Sequence, residues 1–362
     1  MPLTQVSAAL LSSEANAQGF RNRIINGDMR IDQRNAGASV TPTTTVYTLD
    51  RWQLPIAQAS KLSVQQNAGA VTPPAGFSNY LGLTSLSAYS ITSTDYFLLT
   101  QAIEGYNIAD LAWGTASAQS VTLSFWVRSS LTGTFGGVVT NGTRAYPFTY
   151  SISAANTWEY KTIVIPGDTS GTWATNNTTG LIVQFGLGVG ANRSGTAGAW
   201  ATGTINSATG ATSVVGTNGA TFYITGVQLE AGTVAEPFER LDYGRQLIQC
   251  QRYYYKIGPG ITNSMLGVGW NASTTQSLAL TTFPVTMRAA PSALEQTGTA
   301  GDYSIYHGAG SGTACSSVPS FSIANTTNAR TLLTVASGLT ANGGSMARAE
   351  TTNGYFAWSA EL

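Results

Sequence analysis

Histidine is the scarcest of the side chains able to carry chemistry: His307 is the only one in 362 residues, and it stands in a Gly-rich segment. Histidine-based triads need partners held in place around the ring, and no motif marks them here. Asp95, Glu104 and Asp110 are of the type that cleaves glycosidic bonds, a chemistry set by the separation of two carboxylates in space. Read alone, they are solvated or hydrogen-bonded turn carboxylates. The sequence has neither a phosphate-cradling glycine loop nor zinc-ligand spacing. It therefore predicts a non-enzyme with no catalytic residue, no metal and no cofactor. Trp126 and Arg128 offer something different. They alternate with Val121, Leu123, Phe125 and Val127, which puts them on the strand face opposite its core row. An aromatic face stacked on sugar C–H groups, with a few polar groups fixing orientation, is the chemistry of saccharide recognition. The plainer reading has Trp126 packed under a loop or at a subunit interface.

The elements that must position these groups follow from composition. Charged residues make up only 9%, against roughly 25% in ordinary soluble domains, so the surface is polar through Ser, Thr, Asn and Gln. With 43% hydrophobic residues, 40 Gly and 12 Pro, the chain suits many short strands joined by tight turns. Seventeen basic and seventeen acidic residues cancel, and without a basic patch a nucleic-acid partner is not expected. No run reaches the ~20 apolar residues of a membrane helix, so membrane insertion is not expected either. The N-terminus lacks the basic and apolar regions of a secretory signal, which predicts synthesis without one. Cys250 and Cys315 read as buried free thiols.

Four stretches alternate with period two: Phe97, Leu99, Gln101, Ile103; Val121 to Val127; Trp158, Tyr160, Thr162, Val164; and Leu181 to Val189. Each places one row in a core and the other outside, and their density argues a β-sandwich. Residues 190–220, rich in Gly, Ala, Thr and Ser, read as a surface loop or weak hairpin. In Thr221 to Leu229 the apolar phase changes near Gly226, which predicts a bulge. The expected organisation is an N-terminal arm over 1–21, a first β-domain over 22–238, a helical connector over 239–256, and a smaller β-sandwich over 257–362. Tyr253 to Tyr255 would serve either as subunit contacts or as packing beside the connector.

Asn26-Gly27-Asp28-Met29, Val121 to Arg128 and Phe222 to Glu230 resemble the opening, middle and closing strands of carbohydrate-binding modules with a jelly-roll fold. Trp158-Glu159-Tyr160-Lys161 sits where such modules have a Trp-led strand. In a jelly roll, Gln101, Tyr96 and Trp52 would lie near Trp126 and Arg128 in the outer groove. Such modules often hold a structural calcium; Arg30, Thr225 and Gly226 occupy the places of its acidic donors, and Arg30 is expected to supply the positive charge instead, pairing with Asp50 or Glu230. A longer resemblance is to phage virion proteins, mostly tail fibres. It is carried by Arg23 to Arg34, Tyr47-Thr48-Leu49-Asp50-Arg51-Trp52, Gly226 to Glu230, Pro237-Phe238-Glu239-Arg240, Tyr243-Gly244, Cys250-Gln251-Arg252-Tyr253-Tyr254, Phe283 to Pro291 and Ala360-Glu361-Leu362. It implies a virion component, a homotrimeric fibre joined to other virion proteins through its N-terminal arm. The C-terminal domain would be the exposed tip, with host-surface polysaccharide as a partner. A purely structural baseplate, capsid-decoration or adaptor protein, and a polysaccharide depolymerase, are the alternatives.

Overall fold

The computed structural model describes residues 20–308 and 311–362. Of the arm expected over 1–21, all but Phe20 and Arg21 lie outside the described residues. The rest is all-β as expected, built from mostly antiparallel sheets with one short α-helix, Tyr243–Gln251. Among the described residues no helix is long and apolar enough to cross a membrane. The chain divides into two units, Met1–Asp242 (with Leu362) and Tyr243–Glu361. The helix falls inside the stretch 239–256 expected for it and belongs to the second unit.

The first unit is a sandwich. Its five-stranded sheet runs Leu62–Gln66, Leu81–Ser85, Thr221–Ala231, Val121–Ser129, Glu159–Ile165. Its seven-stranded sheet runs Val46–Leu49, Trp52–Leu54, Tyr96–Glu104, Thr179–Val189, Gly133–Thr140, Arg144–Ile152, Ala201–Thr202. Period-two alternation supplies the core: Val121, Leu123, Phe125 and Val127 from one sheet meet Leu181, Val183, Phe185 and Leu187 from the other, all fully buried. Phe125 lies edge-on to Phe185 and Tyr150, each at 5.0 Å. On Glu159–Ile165 the row Tyr160, Thr162, Val164 is the outer one, and Ile165 points in. This is an edge strand whose Tyr160 pairs with Trp126 of its neighbour, so it shares that residue's outward phase.

The ends of this unit are clasped. Asn22 donates from Nδ2 to the Val227 carbonyl at 3.1 Å, and its Oδ1 accepts from Leu229 N at 3.0 Å. Arg23 N donates to Leu229 O at 2.8 Å, and Val227 N to Gly27 O at 2.9 Å. Gly27 is dictated by this approach, since a Cβ there would stand 2.1 Å from Val227 O. The Asn26 side chain holds the Ile31 backbone through both its N–H and its carbonyl, and the Asn26 carbonyl accepts from Trp52 Nε1 at 3.0 Å.

Residues 190–220 do more than the expected surface loop. Short strands at Ser194–Gly195 and Ser207–Ala208 pair in parallel, and Val214 and Val215 are fully buried in the core. The segment settles on the seven-stranded sheet because that sheet carries glycines beneath it: a Cβ at Gly136 or Gly186 would lie 2.6 Å from Ser207 Oγ. The pair of valines, rather than overall composition, decides its burial.

The second unit has a seven-stranded sheet ordered Ser311–Ala314, Tyr303–His307, Gly344–Ala349, Met265–Asn271, Gln276–Thr282, Asn328–Thr334, Ser320–Ala324, and a two-stranded sheet of Tyr254–Ile257 with Phe356–Ser359. Tyr303, Phe356, Trp358, Phe283 and Met287 fill its core. Cys250 and Cys315 are buried and in no disulfide; burial pushes the Cys315 thiol up to about 12. Tyr253 and Tyr254 are 1% and 2% exposed, which leaves them no surface for another subunit. Tyr255 stacks on Trp358 at 6.3 Å.

The clasp yields a test. Gly27→Ala forces the Val227 carbonyl away and is expected to cost about 2 kcal/mol, the scale of an overpacked site. A melting temperature unchanged from wild type in scanning calorimetry would show that the clasp yields freely.

Candidate functional site

The outer face of the five-stranded sheet leaves room for a ligand. The strand Thr221–Ala231 pairs Thr225 with Trp126 but Gln228 with Ser124. One extra residue is therefore accommodated at Gly226, whose φ of 62° lies in the left-handed region. This is the bulge expected from the phase change. It keeps Phe222 and Ile224 buried on one side and Val227 and Leu229 buried on the other. A Cβ at Gly226 would be 2.6 Å from Phe77 Cζ and 3.2 Å from Trp126 Cδ1, so the bare glycine lets both rings close on the backbone.

Two segments fold over this face. The turn at 67–80 is held by Trp158 Nε1 donating to Thr72 O at 2.9 Å and Thr225 Oγ1 donating to Asn79 O at 2.7 Å. Its Tyr80 packs on Tyr223 and Trp158, at 5.2 and 5.5 Å. The segment after the closing strand returns across the sheet and is fastened by two buried side chains. Gln228 accepts from Glu239 N at 2.7 Å through Oε1, and donates from Nε2 to Glu230 Oε1 at 2.9 Å and Glu236 O at 3.2 Å. Glu230 Oε1 also accepts from Glu236 N at 3.0 Å. Burial pushes the Glu230 carboxyl above the usual carboxylate range, against these hydrogen bonds and Arg21, whose Nε lies 3.6 Å from Oε2.

Between the two segments lies a groove of about 530 Å³, lined by Phe77, Ser124, Trp126, Tyr160, Glu236, Phe238 and Arg240 among others. Trp126 and Tyr160 are side by side at 5.4 Å with their planes at 48°. Phe77 meets Phe238 edge-on at 5.2 Å. The Arg240 guanidinium lies over both rings, 4.7 Å from Phe77 and 5.7 Å from Phe238. Aromatic faces beside one carboxylate and one guanidinium provide both a platform for C–H groups and orienting contacts for hydroxyls.

Of the five residues expected to form a sugar site, the structure puts Trp126 in this groove. Arg128 lies farther along the same strand, its guanidinium 5.4 Å from the Tyr223 ring and its Nε donating to Asn156 O at 2.9 Å. The other three are not brought there. Gln101 is 1% exposed and bonds both N–H and carbonyl of Ile25, at 2.8 and 2.9 Å. Trp52 is fully buried against Asn26. Tyr96 belongs to the seven-stranded sheet, under the guanidinium of Arg193 at 5.2 Å. The physical reason is topological: strand Tyr96–Glu104 belongs to the opposite layer of the sandwich. Arg30 pairs with Asp28 at 2.5 Å and donates to Leu241 O, while Asp50 accepts twice from Gln33.

The carboxylates have structural partners. Asp95 accepts from Tyr89 Oη and Thr92 N, both at 2.8 Å; burial raises its pKa, but these bonds outweigh burial and hold it below the ordinary range. Asp110 pairs with Arg23 at 2.5 Å. Asp95 directly precedes the extended strand Tyr96–Glu104 and Glu104 ends it, which puts them about 30 Å apart at ~3.3 Å per residue, far outside the ~5–10 Å of a glycosidase pair. His307 Nε2 is 2.9 Å from Thr313 Oγ1. Sequence reading did not single out Phe77, Tyr160, Phe238 and Arg240 as site residues. Tyr160 stands in the quoted Trp158-Glu159-Tyr160-Lys161 strand, whose pairing with Trp126 only the fold shows, and Phe238 and Arg240 stand in the quoted Pro237-Phe238-Glu239-Arg240 run.

No family model and no curated protein matches the sequence. Solved structures match distantly. The enzymatically active domain of tailspike protein 4 of bacteriophage CBA120 is 13% identical with a TM-score of 0.30, over 58% of this chain and 21% of that one. TmCBM61 in complex with β-1,4-galactotriose is 11% identical with a TM-score of 0.31, over 59% and 99%. The family 11 carbohydrate-binding module of the cellulase Lic26A-Cel5E of Clostridium thermocellum is 13% identical with a TM-score of 0.27, over 56% and 100%. The match thus spans about a fifth of the tailspike chain.

The buried Glu230 makes the returning segment pH-sensitive in a defined direction. Its pKa is raised in the folded state, so its contribution favours folding below its unfolded pKa and is lost as pH rises through the folded value. Glu230→Gln is therefore expected to raise the melting temperature at pH 7, and the gain should shrink as pH falls through the raised folded-state value toward the ordinary carboxylate range. A gain that stays constant across pH would show that the Glu230 charge is not the cause.

Proposed function

We propose that this chain is a phage virion structural protein, a tail-fibre component on the outside of the particle, whose first unit attaches to a host-surface glycan through the Trp126 groove. The observation that carries the glycan reading is the Trp126–Tyr160 platform, walled by Phe77 and Phe238, with Arg240 and Glu236 alongside. The virion reading is supported by the ordered run of motifs from Arg23 to Leu362. In this reading the protein assembles as a homotrimer, joins other virion proteins through its N-terminal residues, and binds sugar without cleaving it. Asp95 and Glu104 stand too far apart to act as a glycosidase pair.

Purified full-length protein on a glycan array, together with a reducing-sugar assay on host envelope polysaccharide, separates the possibilities. Binding without release of sugar ends is expected, and Trp126→Ala should weaken it at least tenfold while the melting temperature stays within a few degrees of wild type. Release of sugar ends would make the protein a depolymerase. Absence of binding would leave a structural baseplate, capsid-decoration or adaptor role.

A further inference from the structure

The groove of the first unit holds two charges that do not neutralise each other. Arg240 and Glu236 are both exposed and both line it. Among the described residues no ion pair joins them, and no oxygen accepts from the Arg240 guanidinium. Elsewhere the chain spends such groups on carboxylates. Arg144 donates to Asp168 from two nitrogens, at 2.7 and 2.8 Å, and Arg348 meets Glu350 at 2.7 Å. Arg240 has rings in place of a carboxylate, yet its position is fixed. Phe77 and Phe238 back it, and Gly76 is bare beside it: a Cβ there, at φ 83°, would stand 2.8 Å from Nη2. Rings back a guanidinium without supplying an oxygen to its N–H groups. A planar fork held in this way gives up little freedom when an anion docks on it.

We propose that the groove is selective for an acidic saccharide, a chain containing hexuronic acid, whose carboxylate docks on Arg240. This rests on the glycan reading of the same groove and names the class of sugar. A pyranose lying flat on Trp126 and Tyr160 directs its equatorial substituents sideways, toward the walls of the groove. In a hexuronate the carboxylate is such a substituent at one edge of the ring, and hydroxyls stand at the opposite edge. Arg240 belongs to the wall it makes with Phe77 and Phe238, and its fork matches the two oxygens of a carboxylate. Glu236 accepts from hydroxyls and repels a second acid group, which favours one charge per ring over a multiply charged ester. The chain's 17 basic and 17 acidic residues cancel, so no general field draws in a polyanion. The preference for acid therefore resides in Arg240.

Isothermal titration calorimetry of the full chain reads this directly, against trimers of galacturonate, glucuronate and mannuronate, each beside its methyl ester. The ester keeps ring and linkage and removes only the charge. At least one acid should bind about tenfold tighter than its ester, the scale of a charge-assisted bidentate pair. Arg240→Gln should erase that ratio with the weaker binding of the ester and the melting temperature unchanged. Arg240→Lys, which keeps the charge without the fork, should retain part of it, and Trp126→Ala should weaken acid and ester alike. Equal binding of acid and ester, or a preference that survives Arg240→Gln, would overturn the proposal and leave the glycan reading standing. A glycerol-phosphate oligomer bound tighter than every uronate would overturn it in favour of phosphate. Neutral sugars bound on the glycan array with none of these acids would overturn it alone, whereas no binding in either experiment overturns both.

Discussion

Between Asn22 and Leu229 the chain leaves and returns to the same place, and the first unit exists because four hydrogen bonds hold that meeting point. Closing a loop of 207 residues costs about 5 kcal/mol of entropy, which a few backbone bonds cannot offset alone. What offsets it is the core sealed behind them: the Asn26 carbonyl fixes Trp52, Trp52 is fully buried, and the Gly27 approach sets the height of the closing strand on its sheet. The two sheets, the bulge and the groove all take their positions from that strand.

The sandwich has two outer faces, and the chain treats them differently. Residues 190–220 close part of the seven-stranded sheet by laying Ser207 onto glycines. The five-stranded sheet is bordered instead by the 67–80 turn and the returning segment, which leave a gap between them. Gln228 and Glu230 maintain that gap, tying down a segment whose Phe238 and Arg240 form one wall. Their burial is thus a requirement of the site, although neither lines it.

Much of this was legible in the sequence. Alternation located the core strands, and the phase change in Thr221 to Leu229 located the bulge, because both depend on a period that is local to one strand. Trp126 was readable for the same reason. Gln101 and Trp52 misled because a polar or amphipathic residue in an alternating strand reads as surface unless its partner, here Ile25 or Asn26, is known to lie opposite. Tyr96 misled because sheet membership is decided by pairing across the chain. Phe77, Phe238 and Arg240 come together only through segments separated by about 160 residues. The outward row of Gln276–Thr282 was also hidden: alternation gives two rows without saying which faces the core, and there Leu278 and Leu280 take the outside over Ser277, Ala279 and Thr281.

The extra residue at Gly226 has a consequence for how the chain finds its fold. A strand with unbroken period two can slide along its neighbour by two residues and still present its apolar row correctly. Thr221–Ala231 cannot. Any alignment that omits the bulge must turn out either Phe222 and Ile224 or Val227 and Leu229, and turn in Tyr223 and Thr225 or Gln228 and Glu230, respectively, in their stead. The strand therefore carries its own proofreading: of all the registers it can sample during folding, only the one with the kink at Gly226 leaves both halves content.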